Sequence, residues 1–447
     1  MKSACIALLA VVVPLAAQES ALQADFRKEA ERFQENCIDF KIAGCAQLLF
    51  TDHPLHIAVG SLAPGNGFGA GVAFTTHYTP NENWRLFWDA DAVATPNASW
   101  RAGAYMTAVL IRHPKIVMRP GSAGHKPSRL TLHEMPVFHV YGQGISLNQI
   151  GFYGLGQGTP RSELGFGMTE TIAGANAVWP VFQPLNLSLI GEVNGRFFSI
   201  RGAQSSTVPS IPAVGTEPGY AQFGQGVRIR PSLAGGYVRL DYTAKFQEWV
   251  ASNSLYSFRR FSADLSHQFP LYGTTRSLAP RDFNGPDSCS IDPNNRTCPS
   301  ISRNLEGSFG FRFLYTASLT SGAAVVPFYL DPTLGGADIN GVVLLPSYPD
   351  YRFRGPNLML LRGTFEHSIG KFPVGVKFLI DEGRVGLKPS DLGFEHLAHS
   401  YAAGITLHAG GLPLVDILFA WGGKEGTHTI ASVSQSLLGG SPRPPLD

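Results

Sequence analysis

From about Leu55 onward, apolar and polar residues trade places at every step of the chain. Leu86, Trp88, Ala90 and Ala92 alternate with Arg85, Asp89 and Asp91. Leu185, Leu187, Leu189 and Val193 alternate with Asn186, Ser188, Glu192 and Asn194. Val238, Leu240, Tyr242, Ala244 and Phe246 alternate with Arg239, Asp241, Thr243, Lys245 and Gln247. Phe309, Phe311, Phe313 and Tyr315 do the same against Ser308, Arg312 and Thr316. A period of two belongs to a strand, whose side chains leave opposite faces of the sheet in turn. Each segment therefore has one apolar and one polar face, and the pattern predicts an all-β protein.

A soluble sandwich shows the same alternation, so three further features set the environment. The segments run to about ten residues, the length a tilted strand needs to cross hydrocarbon, whereas soluble strands average about five or six. Aromatic residues gather near segment ends at Trp84, Trp100, Trp179, Trp249, Tyr272 and Trp421, where an interfacial girdle would place them. The polar faces carry charges of both signs, which suits a wet lumen better than a dry core. An open sheet in lipid would leave edge N–H and C=O groups unpaired, at several kcal/mol each. The expected fold is thus a transmembrane antiparallel β-barrel. Residues 51–440, at about 25 per strand, give about sixteen strands, with 441–447 as a tail.

Composition narrows the partners. Charged residues make up 15% of the 447 and hydrophobic ones 44%, yet no apolar run after the first residues reaches the ~20 that a spanning helix needs. The net charge of +2 forms no basic block, which argues against nucleic acid and leaves outer-membrane lipids as the expected surroundings.

The N-terminus reads as a secretory leader. Lys2 precedes the apolar run Ala4 to Val13, and Pro14-Leu15-Ala16-Ala17 offers a small-residue cleavage site, so residues 1–17 are the expected signal peptide. Cys5 sits too early to be a lipoprotein anchor. Residues 18–50 form a periplasmic segment that is partly helical, since Phe26, Ala30 and Phe33 recur at helical spacing within Leu22 to Asn36. An exported chain meets an oxidising compartment, so Cys37 with Cys45 and Cys289 with Cys298 are expected local disulfides; neither pair has zinc-ligand spacing. The expected location is the outer membrane of a Gram-negative-type bacterium.

The last third of the chain carries more specific patterns. Val326-Pro327-Phe328-Tyr329-Leu330 leads into Leu334-Gly335-Gly336, and Tyr351-Arg352-Phe353-Arg354-Gly355 follows. Leu358 to Ile369 contains Arg362 and Glu366, and the next segment reads Leu379-Ile380-Asp381-Glu382-Gly383. With Phe152-Tyr153-Gly154-Leu155-Gly156, these runs resemble the BamA-like surface antigen superfamily of outer-membrane insertases and two-partner secretion transporters. The resemblance extends from Gly154 to Trp421 and is strongest over Val326 to Gly383. It implies a loop folded into the lumen, and Asp381 and Gly383 on the strand that meets it.

Alternation independently puts Val374, Val376, Phe378 and Ile380 on one face, and Lys377, Asp381 and Gly383 on the other, polar one. In the family an arginine from the inward loop pairs with that strand's aspartate. The expected partner here is Arg354, with Arg352 two residues earlier on the same face, and with Arg362, Glu366 and Lys377 as further lumen charges.

The chain also departs from the family. Where the loop motif usually reads hydrophobic-Arg-Gly-aromatic, this sequence has Leu345-Pro346-Ser347-Tyr348, which leaves Arg354-Gly355 to belong either to the loop or to the following strand. The family's periplasmic POTRA modules are longer than the stretch before the barrel, so the resemblance implies a member without them.

No motif for bond chemistry stands up. Gly65-Asn66-Gly67-Phe68-Gly69-Ala70-Gly71 places glycine at every second position without a strand–turn–helix context, which suits one face of a strand better than a dinucleotide loop. His133-Glu134 and His139 miss the spacing of a zinc helix. His396 and His399 near Asp391 and Ser400 would be a hydrolase site only by chance proximity among thirteen histidines. The chain is expected to be no enzyme and to need no cofactor or metal. It is expected to assist insertion or translocation of a client, an unfolded outer-membrane protein or a lipid. The alternative is a passive pore lined by Arg85, Asp89, Arg239, Asp241 and Lys245.

Overall fold

The computed structural model describes residues 55–81, 83–111, 135–202, 215–233, 238–271, 307–369, 374–409, 412–423, 425–433 and 443–446. The leader, the helical reading of Leu22 to Asn36, all four expected disulfide cysteines, Tyr272 and His133-Glu134 lie outside these residues.

The described chain forms an antiparallel meander. β1 (Leu55–Ser61), β2 (Phe68–Asn81), β3 (Trp84–Ala94) and β4 (Trp100–Leu110) are followed by β5 (Val137–Phe152), β6 (Leu164–Phe182) and β7 (Leu187–Arg201). β8 (Tyr220–Ile229) is prolonged by the two-residue β9 (Ser232–Leu233), and both pair with β10 (Val238–Ala251). Then come β11 (Phe258–Pro270) and β12 (Ser308–Leu319). The short β13 (Thr333–Leu334) and β14 (Phe353–Arg354) pair only with each other, as a separate sheet inside the long loop that follows. β15 (Asn357–Ser368), β16 (Val374–Gly386), β17 (Ala398–Ala409), β18 (Leu412–Trp421) and β19 (His428–Val433) complete the meander. With β9 counted as part of its neighbour, sixteen strands run in sequence order, each hydrogen-bonded to the next. Among the described residues no helix is long and apolar enough to cross a membrane.

Two ends follow from this topology. One end gathers the turns after β1, β3, β5, β7, β10, β16 and β18 together with the long loop 320–356; we call it the loop end. The start of β1 and the finish of β19 lie at the other, the terminal end.

The alternation resolves into an apolar outside and a mixed inside. Phe197, Phe223, Phe311, Phe378, Ile380 and Phe419 are each at least half exposed and point outward. Their strand neighbours Arg196, Gln222, Leu379, Asp381 and Leu418 are buried on the inner face. An apolar surface this continuous is excluded from water-soluble monomers and matches hydrocarbon. Trp100, Trp179 and Trp421 stand on the outer surface, as a girdle requires.

Trp249 does not belong to that girdle. It is 0% exposed, shares the inward face of Gln247, stacks on Phe258 at 5.4 Å between ring centroids, and lies under the guanidinium groups of Arg196 and Arg260 at 4.9 and 5.7 Å. One parity step along β10 separates the lipid face from the lumen, so a position near a strand end does not by itself make a tryptophan interfacial. The glycine run also divides. Gly65 and Gly67 occupy positive-φ turn positions, and only Gly69 and Gly71 lie in β2.

The interior is graded along its axis. Near the loop end the inward charges are sealed: Arg101 with Asp91 and Arg196 with Glu170 have at most 5% of their side chains exposed. Toward the terminal end the pairs Arg228–Asp241, Arg312–Asp264 and Lys377–Asp416 keep 18–40% exposure. The inside is a cup, filled at the loop end and wetter at the terminal end.

Candidate functional site: the inward loop and its wall

The filling of the cup is the segment 320–356 between β12 and β15. Phe328, Tyr329 and Leu330 form a single 3-10 turn and are all buried. Phe328 meets Phe152 and Phe166 at 5.2 and 5.0 Å between centroids, and Tyr329 meets Phe198 at 4.9 Å. These wall residues come from β5, β6 and β7, so the loop turns into the lumen and packs there as a hydrophobic core would. Gly335 and Gly336 carry φ of 98° and 56°. At Gly336 a Cβ would stand 2.3 Å from Asp350 Oδ1, so only glycine fits this bend against the returning arm of the loop.

The returning arm holds two arginines in different sockets. Arg352 donates from Nε to Glu425 Oε1 and Oε2 at 2.8 and 2.7 Å, and from Nη1 and Nη2 to Thr159 Oγ1 and O at 2.7 and 2.9 Å. It also lies over the rings of Tyr153 and Phe353. Arg352 thereby ties the loop to two loop-end turns, after β5 and after β18.

Arg354 donates from Nη1 to the Phe328 carbonyl at 2.8 Å and from Nη2 to the Gly151 carbonyl at 3.3 Å, while its own carbonyl accepts from Gly156 N at 2.7 Å. Asp331 sits beside it, fully buried. Burial pushes the Asp331 carboxyl up to about 8 against the pull of Arg354 and Arg260. Gly355 donates its N–H to the Pro332 carbonyl, closing the same turn of chain.

Arg354 is therefore not the partner of Asp381. The buried Asp381 carboxylate accepts from Arg362 Nε at 2.7 Å and Nη2 at 2.6 Å, a bidentate pair between adjacent strands. The physical reason is register. The β15–β16 hairpin sets Arg362 directly opposite Asp381, so the arginine reaches the carboxylate with no help from the loop.

The loop meets the same carboxylate by another route. Leu345 N donates to Asp381 Oδ2 at 2.8 Å, Arg362 Nη2 donates to the Val343 carbonyl at 2.7 Å, and Ser347 N donates to Ser400 Oγ at 2.8 Å. The run Leu345-Pro346-Ser347-Tyr348, which lacks Arg and Gly, thus docks on β16 and β17 through its backbone amides. Leu345 takes φ of 53° to do so, a left-handed conformation costly for a branched side chain. Gly383 completes the contact, because a Cβ there would press to 3.0 Å on Leu334 of the loop.

The remaining lumen charges sit toward the terminal end. Lys377 donates to Asp416 at 2.7 Å, and Glu366 stands opposite Lys377 in the β15–β16 register. Ser400 and His399 leave opposite faces of β17; Ser400 is sealed against the loop, whereas His399 neighbours Tyr401 on the other face. Among the described residues no group of three His, Cys, Asp or Glu side chains could hold a metal ion. Sequence reasoning found Asp381, Arg362 and both loop arginines. It missed Arg260 and Glu425, whose partners lie 70 and 73 residues away, Asp331, whose role depends on the loop folding back on itself, and the docking amides, which leave no side-chain signature.

A barrel of sixteen antiparallel strands with an apolar outside and a wall-anchored inward loop is an outer-membrane β-barrel. One solved structure supports the fold. BamA from Haemophilus ducreyi lacking POTRA domains 1–3 superposes with a TM-score of 0.50 at 9% identity, covering 85% of this chain and 69% of that one. CdiB from Acinetobacter baumannii gives 0.47 at 11% identity, over 84% of this chain and 57% of that one. CdiB from Escherichia coli gives 0.46 at 12%, over 83% and 59%. The chain thus spans under two thirds of the length of either CdiB. No family model matches the sequence, and no curated protein matches it.

Proposed function

We propose that this barrel assists the insertion or translocation of a protein or lipid client at the outer membrane, by exposing strand edge and lumen to the client rather than by breaking bonds. The graded cup carries the reading. Its loop end is filled by an anchored segment, and its inward charges stay partly exposed toward the side where β1 and β19 begin and finish. An exported chain would present that side to the periplasm.

The two terminal strands support it. At seven and six described residues they are the shortest of the sixteen, whereas β6 has nineteen. Strands this short could make only a few hydrogen bonds with each other. A client strand could add to either edge by main-chain pairing. The backbone groups of that client would otherwise face hydrocarbon unpaired at several kcal/mol each. The fold shared with BamA is consistent with this role and says nothing of the client.

The test is folding of a denatured outer-membrane barrel into liposomes with and without this protein in the bilayer. Faster acquisition of the client's heat-resistant, compact gel form supports the proposal. Unchanged client folding together with steady single-channel conductance in planar bilayers would replace it with the passive pore.

A further inference from the structure

The described C-terminal residues lie inside the barrel. Arg443 donates from Nη2 to Asp91 Oδ2 at 3.1 Å, on an inward-facing carboxylate whose side chain is completely buried. Arg101 already donates to the same oxygen at 3.1 Å, so the tail brings a second guanidinium to a charge the wall has neutralised once. Leu446 is buried at 5% exposure within the same hydrophobic cluster that holds Phe328 and Tyr329 of the inward loop. Its N–H donates to Asn340 Oδ1 of that loop at 2.9 Å. Arg443 and Pro444 border a cavity of about 210 Å³ whose other lining residues are Tyr105, His139, Val140, Tyr141 and Asn176 on β4, β5 and β6.

The direction of the chain gives these contacts meaning. β19 finishes at Val433 at the terminal end, whereas Asp91 lies three residues from the loop-end limit of β3. Residues 443–446 therefore lie inside the lumen, away from the end at which β19 finishes. Three independent anchors hold them there: an ion pair to the wall, an apolar side chain in the core, and a backbone hydrogen bond to the loop.

We infer that the C-terminal tail is an intramolecular plug, and that the inner face of β3 to β6 is a docking groove which the tail occupies in cis through one arginine and one apolar side chain. Tethering makes the occupancy high at modest intrinsic affinity, because a short linker supplies an effective concentration on the order of millimolar. Release of the tail joins the 210 Å³ cavity to the wet end of the cup. It also frees the finish of β19 from its attachment inside the lumen. The inference needs only a barrel with a wet interior, so it stands whether the client-handling role holds or not.

The experiment is ion conductance in planar bilayers of the full chain, of a chain lacking residues 443–447, and of Arg443→Glu. Folding of each is verified by heat-modifiable gel migration. The deletion and Arg443→Glu, which sets a carboxylate against Asp91, should each raise conductance several-fold. A synthetic peptide of residues 443–447 at millimolar concentration should lower the conductance of the deletion variant toward that of the full chain, and the same peptide with glutamate for arginine should not. If the deletion fails to fold, Arg443→Glu alone decides. A folded variant with the full chain's conductance, or equal block by both peptides, overturns the plug.

Discussion

Replacing Arg362 by methionine isolates what holds the inward loop to the wall. The substitution keeps most of the side-chain volume and removes two donors from Asp381 and one from the Val343 carbonyl. Asp381 is left with Leu345 N as its donor in the loop, in a site with no exposure to water. Removing one partner of a buried pair costs about 3–5 kcal/mol, because the surviving charge stays desolvated. Charge reversal separates this pairing from the rival one. Asp381→Arg places a cation against Arg362 and the Leu345 amide, and Arg362→Asp in the same chain restores an opposite-charge pair between the same two positions. That double variant still orphans the Leu345 N–H and the Val343 carbonyl, so it should recover most of the loss and remain about 1–3 kcal/mol below the parent.

The assay is urea unfolding of the barrel refolded into lipid, followed by tryptophan emission, with protease nicking within 337–343 as the readout of loop docking. Combining Asp381→Arg with Arg354→Asp should rescue nothing, since Arg354 bonds to carbonyls of Phe328 and Gly151. Rescue by Arg354→Asp, or a loss under about 0.5 kcal/mol for Arg362→Met, which is the scale of an ordinary surface substitution, would refute the reasoning.

Three other outcomes follow from the same geometry. Trp249→Ala should destabilise by about 3–5 kcal/mol, as deletion of a fully buried aromatic does, and should remove the bluest component of the emission; a loss typical of the lipid-facing Trp100 would return Trp249 to the girdle. Asp331, held near pKa 8 in the fold against an ordinary 3.8, keeps a proton that the unfolded chain releases. Its contribution to stability is therefore fullest below about pH 4 and declines as pH rises through the folded value near 8. The stability of Asp331→Asn relative to the parent should then increase between pH 5 and 8 and level off above; a pH-independent difference in denaturation midpoint would contradict this. Gly336→Val should loosen the loop bend and expose 337–343 to protease, because its side chain collides with Asp350; unchanged protection would show that the bend adapts.

The sequence by itself determined the architecture. Alternation is a local property, readable from each strand and its own neighbours, and water and hydrocarbon on the two faces enforce it. The strand number, the outward Phe309, Phe311, Phe378 and Ile380, and the inward Asp381 were therefore legible without coordinates. Where the lumen is entered was implied by the family resemblance of the loop motifs, whose glycine pair and arginines record local demands of backbone and charge.

Tertiary structure decided which charge meets which. The motifs pointed to Arg354, with Arg352 beside it, as the partner of Asp381 and made Arg362 only a further lumen charge, whereas the hairpin register of β15 and β16 selected Arg362. The loop used backbone amides for the same carboxylate, a donor every residue but proline carries, so composition could not announce it. The return of Arg443 to Asp91 joins positions at opposite ends of the described chain. Such contacts depend on the whole barrel having wrapped around them, and no periodicity encodes that.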